Sequence, residues 1–304
     1  MSIGAITEPV LVTGATGKQG GAVAAALLER GVPVRALVRD PGAAPAIALR
    51  ARGAVLVQGN FDDPSSLRIA CEGARAVFSV QHPNMADLES DSERVQGKNL
   101  VEAARAVRVP QFIHTSVSGA GAHHRRAPDW ELERGAGRNY WESKAYTEEL
   151  VKNAGFRFWT LIKPSFFMEN FIRPSMMFEG GTGDRLLTTI APDTVLALVA
   201  VQDIGAAAAA AVQEPSRFHG VELELASERL TMRDIARALA RALDLPIEAP
   251  SLTADEAIAQ GLLPAFARSH ARLNHHGSPA TPEAARALGI PLTDFETWLR
   301  HHAV

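Results

Sequence analysis

Cysteine is almost missing: the 304 residues include one, Cys71. A single thiol excludes an internal disulfide and fits a reducing, cytoplasmic setting. Its context, "LRIACEGA", reads as a helix end where a small apolar side chain packs; a catalytic thiol is the alternative. An excess of one charge is lacking too. The formal net charge is −3 and charged residues make up 21%, which favours neither nucleic acid nor an anionic membrane as partner. No apolar run reaches the roughly 18 residues of a membrane helix. "GAAAAAAV" (205–212) is short and alanine-built, and reads as a tightly packed helix. "MSIGAITEPVLVTG" has no basic segment followed by an apolar one, so no leader peptide is expected. What remains is a protein acting on a small molecule, as monomer or homodimer.

Histidine is plentiful, but its ten copies do not suggest a metal. The adjacent pairs at 123–124, 275–276 and 301–302 sit on loops or near the end of the sequence, and no HExxH occurs.

A hydrophobic content of 46% supports a sizeable core. Short apolar strands alternate with helical stretches: "PVLVTG", "VPVRALVRD", "AVLVQGNF", "ARAVFSVQ", "PQFIHTSVSG" and "FRFWTLIKP" mark six strands. They are apolar throughout, so both faces are covered. The expected fold is α/β, a doubly wound parallel sheet with a smaller C-terminal α+β lobe. The sheet domain is placed at 1–164 and the smaller, substrate-side lobe at 165–304. Residues 195–226 are expected to return and pack on the sheet. The polar loop 119–137 is expected to be mobile.

"GATGKQG" carries Gly14, Gly17 and Gly20 between a strand and a helix, the context a dinucleotide-binding turn requires. The first glycine allows the tight turn, the second a close approach to pyrophosphate, the third close helix–strand packing. The helix start adds unpaired N–H groups and a positive dipole. The second strand ends in Arg39. A guanidinium there suits a ribose 2′-phosphate, which favours NADP(H) over NAD(H); the adjoining Asp40 argues the other way. Asn60, Phe61 and Asp62 line the adenine edge, and Asp62 or Asp63 is equally suited to cap the next helix, which is compatible with that contact. His82 and Gln81 follow the fourth strand near the ligand edge.

"VTGATGKQGG", "LVRD", "GNFDDPSSL", "FIHTSVSG", "YWESKAYTEELVKNAG", "WTLIKPSFFMENF" and "LTDFETWLR" together resemble the NmrA-like branch of the atypical short-chain dehydrogenases/reductases, over nearly the whole chain. The resemblance implies a Rossmann fold and a bound NADP(H). It implies Gly14, Thr16, Gly17 and Gln19 around the pyrophosphate, and Arg39 at the 2′-phosphate; Lys18 and Gly20 of the same turn are assigned to cofactor binding with them. Lys144 falls at the nicotinamide ribose, and Pro164 and Phe167 beside the nicotinamide. Members of this branch are oxidoreductases acting on quinones, carbonyls or activated double bonds, or non-catalytic NADP(H) sensors and transcriptional regulators.

Tyrosine occurs twice and lysine five times, yet Tyr140 and Lys144 stand four apart in "GRNYWESKAY". Residues i and i+4 share a helix face. The ammonium is expected to stabilise the phenolate and bring Tyr140 below its ordinary ~10, making it a proton donor to the substrate after hydride transfer. The helper hydroxyl that the resemblance implies falls in "HTSVSG", where its slot aligns with Val117: Ser116 is assigned the role, with Thr115, Ser118 or no hydroxyl at all as alternatives. Phe166, Met168 and Met177 are expected as an apolar substrate wall, with His82, Ser118 and Trp141 around it and Trp130 in weaker support. The reading is an NADPH-dependent oxidoreductase. A sensor without turnover is the alternative, and an epimerase or dehydratase that reuses its cofactor a more distant one.

Overall fold

The computed structural model describes residues 8–302. The first seven residues of the segment read as lacking a leader lie outside that range. The six strands form where the apolar runs predicted them: β1 (Val10–Val12), β2 (Val34–Val38), β3 (Val55–Gln58), β4 (Ala76–Ser79), β5 (Gln111–Thr115) and β6 (Phe158–Pro164). After β7 (Phe166–Phe167) and β8 (Val195–Val199) come β9 (Val221–Leu225) and β10 (Glu228–Thr231). The large sheet runs β3-β2-β1-β4-β5-β6-β9, and every neighbour pair is parallel. This is the doubly wound Rossmann order, whose strand order reverses between β1 and β4. The central strands β1, β4 and β5 are buried along their whole length, while edge strand β3 is open at both ends.

Helices cover both faces. On one side α1 (Lys18–Glu29) and α6 (Val201–Gln213) bury Val23, Leu27, Ile204, Ala207 and Ala208 against the sheet. The alanine run has a steric reason. A Cβ on Gly205 would lie 2.6 Å from the Ala22 carbonyl oxygen, so only small side chains let the two helices approach this closely. On the other side α3 (Pro64–Cys71), α4 (Ser92–Ala106) and α5 (Gly135–Asn153) bury Leu67, Cys71, Leu100 and Val151 on Leu11, Val77 and Phe112. The short α2 (Ala44–Ala51) connects β2 and β3. Burial pushes the Cys71 thiol up to about 12, which leaves it neutral and unreactive.

The second sheet, β10-β8-β7, pairs β8 antiparallel with β10 and parallel with β7. Its core joins Phe171, Phe178, Leu196, Ile235, Phe295 and Trp298. Within 195–226, β8 belongs to this small sheet, whereas α6 packs on α1 and β9 extends the large sheet beside β6. Two carboxylates tie the parts together. Asp203, in the first turn of α6, accepts from Ser227 Oγ at 2.6 Å and from Thr293 N at 2.8 Å. Glu169 accepts from Trp298 Nε1 at 2.9 Å and from Val201 N at 3.1 Å.

The third glycine of the turn is a test of packing. A Cβ on Gly20 would stand 2.3 Å from the Gly14 carbonyl oxygen and 2.5 Å from that of Thr13. Gly20→Ala gains about 1 kcal/mol of helix propensity but forces strand and helix apart, at roughly 1–3 kcal/mol or more. The expected result is a net drop in thermal unfolding midpoint; an unchanged or raised midpoint would count against this packing.

Candidate functional site

The glycine turn lies at the carboxyl end of β1. Gly14 adopts φ +59°, and a Cβ there would meet Val80 Cγ1 at 2.6 Å. Gly17 donates its N–H to the Gly14 carbonyl oxygen at 2.8 Å and starts α1 with no side-chain cap. Thr16, Gly17 and Lys18 are exposed. An uncapped helix start with glycine on each side offers N–H donors to an anion without steric obstruction, which fits a pyrophosphate. Gln19 is buried behind the turn, where its Oε1 accepts from Thr115 Oγ1 at 2.7 Å; the side chain braces α1 against β5.

At the end of β2, Asp40 Oδ1 accepts from Gly42 N at 2.8 Å and closes its own turn. The exposed Arg39 guanidinium makes no hydrogen bond or ion pair among the described residues; only its carbonyl is engaged, by Gln58 Nε2 at 3.2 Å. A partnerless guanidinium beside a committed carboxylate suits a 2′-phosphate. Asp63 caps α3 through Ser65 N and Ser66 N, which leaves Asp62 exposed beside Asn60 and the half-buried Phe61.

Tyr140 and Lys144 occupy successive turns of α5, and Lys144 Nζ lies 5.6 Å from the centre of the phenol ring. The ammonium is buried, bonds the Gln81 carbonyl at 3.3 Å and is ion-paired to the buried Glu93 of α4. Burial opposes the charge of Lys144, yet Glu93, Tyr140 and Glu148 outweigh it and hold the ammonium above its ordinary range. The consequence for Tyr140 reverses the expectation. Burial raises the phenol above its usual value, Glu93 raises it further, and the pull of Lys144 does not compensate. Tyr140 is therefore a neutral phenol at ordinary pH, able to give a proton and poorly able to take one.

The Ser116 hydroxyl is engaged elsewhere. Its hydroxyl donates to Glu148 Oε1 at 2.6 Å. Glu148 lies two helical turns beyond Tyr140, about 12 Å along α5 at ~1.5 Å per residue. Glu148 in turn pairs with the buried Lys163 at 3.2 Å, so the serine belongs to a charged cluster between α5 and the carboxyl ends of β5 and β6. Ser118 bonds Ser278 Oγ at 2.5 Å instead of facing a ligand.

Tyr140 opens into a cavity of about 580 Å³ shared with Lys18, Trp141, Phe166, Met177 and His270. Of the expected substrate wall, Trp141, Phe166 and Met177 line it. Met168 does not: it is fully buried in the core of the small lobe. His82 is exposed next to Pro83, which does line the cavity. Trp130 is buried with the Arg138 guanidinium 4.7 Å over its ring, away from the cavity lining. Pro164 is buried at the end of β6, and Phe167 packs on the core beneath the glycine turn. Gln81 is buried, with its amide held by Ser79 Oγ at 3.1 Å, so that its carbonyl rather than its side chain meets Lys144.

The loop 119–137 is anchored. Arg272 pairs with Asp129 at 3.2 Å and with Glu133, and His276 stacks on His123 at 4.1 Å. His124 stacks on Trp141 at 5.0 Å. Among the described residues no group of three or more metal-ligating side chains occurs, and no helix is long and apolar enough to cross a membrane.

Two features escaped the sequence. Glu93 sits in the first turn of α4, where an acid is explained by the helix dipole alone, and nothing local marks it as the partner of Lys144. Helix Pro264–Leu273, which closes the cavity with Phe266 and His270, has no motif to link it to the glycine turn.

Comparison with known proteins bears on the family and the fold. The model of the NmrA-like family matches residues 7–275. A Streptomyces griseus protein named (4-alkanoyl-5-oxo-2,5-dihydrofuran-3-yl)methyl phosphate reductase is 29% identical over 305 residues, spanning 97% of this chain and 98% of its own. A Xenophilus azovorans NAD(P)H azoreductase is 28% identical over 254 residues, 82% of this chain and 78% of its own. Among solved structures, the Citrobacter sp. triphenylmethane reductase complexed with NADP(H) superposes with a TM-score of 0.78 at 18% identity, covering 96% of this chain and 99% of the other. The Escherichia coli NADPH-dependent quinone oxidoreductase complexed with NADPH gives 0.74 at 23%, with 96% and 99% covered.

Proposed function

The chain belongs to the NmrA-like family, and from that premise we propose that it is an NADPH-dependent reductase of small, mostly apolar carbonyls, quinones or conjugated enones. One observation carries the reading: a single cavity joins Lys18 of the glycine turn to the neutral phenol of Tyr140. Relatives named as reductases support the reaction class.

Gly14, Thr16, Gly17 and Lys18 would hold the pyrophosphate and Arg39 the 2′-phosphate. Asn60, Phe61 and Asp62 border the adenine, and Pro164 and Phe167 back the nicotinamide end. NADPH, when bound, supplies the hydride. The chain's own part is to shape the cavity, exclude water and hold a proton ready. Trp141, Phe166 and Met177 supply apolar walls that favour a flat, weakly polar acceptor. Tyr140 keeps its proton across ordinary pH and donates it to the acceptor oxygen. Lys144, neutralised by Glu93, offers N–H donors to the ribose hydroxyls, and the raised phenol favours reduction over the reverse reaction.

The test is purified protein with NADPH and a panel of quinones, enones and azo dyes, followed by loss of NADPH absorbance. Turnover supports the reading. Binding of NADPH without oxidation by any member would replace it with a sensor, a role that the diversion of Ser116 to Glu148 also favours. Arg39→Ala is expected to weaken NADPH binding on the order of tenfold to a hundredfold, as loss of a charge-assisted contact does, with NADH binding little changed. Equal loss for both cofactors would remove Arg39 from the 2′-phosphate.

A further inference from the structure

His270 is the one imidazole among the residues lining the cavity. Its helix presents it from the C-terminal part of the chain, the wall opposite in sequence to the glycine turn and α5. The side chain is buried, with Phe166 at 6.0 Å and Phe266 at 6.2 Å between ring centres. Its Nδ1 lies 2.9 Å from Thr188 Oγ1. That hydroxyl already accepts the Ile190 N–H at 3.1 Å and is buried. Among the described residues the hydroxyl proton therefore has one acceptor within reach, His270 Nδ1; the opposite polarity would leave a buried hydroxyl proton unpaired. With Nδ1 accepting, the neutral ring carries its proton on Nε2. Nε2 has no partner among the described residues, yet it is not sealed as the Nε2 atoms of His114 and His124 are.

We propose that His270, held by Thr188 as the Nε2–H tautomer, is a substrate-positioning residue that donates a hydrogen bond to an oxygen of a neutral quinone or enone in this cavity. The assignment rests on the reductase reading for its chemistry but not for its test. Burial pushes His270 down to about 4, so the ring stays neutral at working pH and adds no charge to an apolar site. A neutral donor in aromatic surroundings selects a weakly polar acceptor and disfavours the hydrocarbon of the same shape, because it would be left unpaired.

The probe is 1,4-naphthoquinone, compared with naphthalene, binding being followed by ligand-observed NMR without cofactor. Wild type is expected to prefer the quinone. His270→Phe is expected to lose about tenfold in quinone affinity with naphthalene unchanged, and His270→Gln, which keeps a donor near the Nε2 position, to recover most of it. ¹⁵N-histidine NMR of the wild type reads the tautomer without any substitution. Equal quinone binding by wild type and His270→Phe, no quinone binding by wild type, or an Nδ1–H tautomer would each overturn the proposal. Quinone binding that depends on His270, in a protein that oxidises no NADPH, would uphold it while removing the reductase reading.

Discussion

Tyr140→Phe is expected to lower NADPH-dependent turnover by on the order of 10²–10⁴, the contribution of a positioned general acid, with the dissociation constant of NADPH unchanged. Among the described residues the phenol has no hydrogen bond to another side chain to lose, and its ring stacks edge-on against Trp141 at 5.4 Å, a packing that phenylalanine keeps. A fall in kcat and kcat/KM together marks an interaction made in the transition state. The pH profile gives an independent reading. Reduction needs the protonated phenol, so its rate is full below the pKa of Tyr140 and declines as pH rises through it. Because that pKa is raised above its ordinary ~10, the alkaline limb is expected above pH ~10. Full activity of Tyr140→Phe would remove the residue from the proton-transfer role, and a wild-type limb between pH 7 and 9 assigned to Tyr140 would overturn the upward shift of its phenol.

Glu93→Gln has the second large effect, and it is twofold. The substitution keeps the shape of the side chain but strips Lys144 of its counter-charge inside the protein. Breaking a buried pair by removing one partner costs about 3–5 kcal/mol, and the glutamine oxygen, still able to accept a hydrogen bond, puts the expected loss at the lower end. Removing the Glu93 charge takes away one of the two influences that raise the phenol, burial remaining the larger, so the alkaline limb of the rate is expected to move to lower pH. Glu93→Gln combined with Lys144→Met is expected to recover stability, since no lone charge remains, while lacking the ribose contact. A stability equal to wild type, together with an unmoved limb, would show that Glu93 and Lys144 are not coupled.

The parts of this arrangement that the sequence disclosed are those governed by local rules. Six strands were readable because both faces are covered and the runs are apolar. Gly14 and Gly20 were readable because neither site has room for a Cβ, which would stand 2.6 Å from the Val80 side chain at Gly14 and 2.3 Å from the Gly14 carbonyl oxygen at Gly20. The pair Tyr140 and Lys144 was readable because helical spacing alone puts them on one face. What stayed hidden depends on tertiary neighbours. The upward shift of Tyr140 is set mainly by its burial in the folded chain, with Glu93, 47 positions earlier, adding to it, and Ser116 is diverted by Glu148, 32 positions later. Met168 looked like pocket wall for the same reason that core residues do: a bulky apolar stripe does not say which of its members faces a cavity. His270 lies 82 positions from the threonine that orients it.

The return of the chain to the large sheet bears on how the molecule can be dissected. A fragment ending after β6 would leave that strand's outer edge, now paired from Thr160 to Pro164 with Val221–Leu225, open to solvent, and would strip α1 of its alanine-rich cover. Unsheltered edges of this kind recruit other chains. Such a truncation is therefore expected to precipitate rather than to yield a minimal nucleotide-binding module, whereas a nick within the intervening excursion should leave both pieces clasped together.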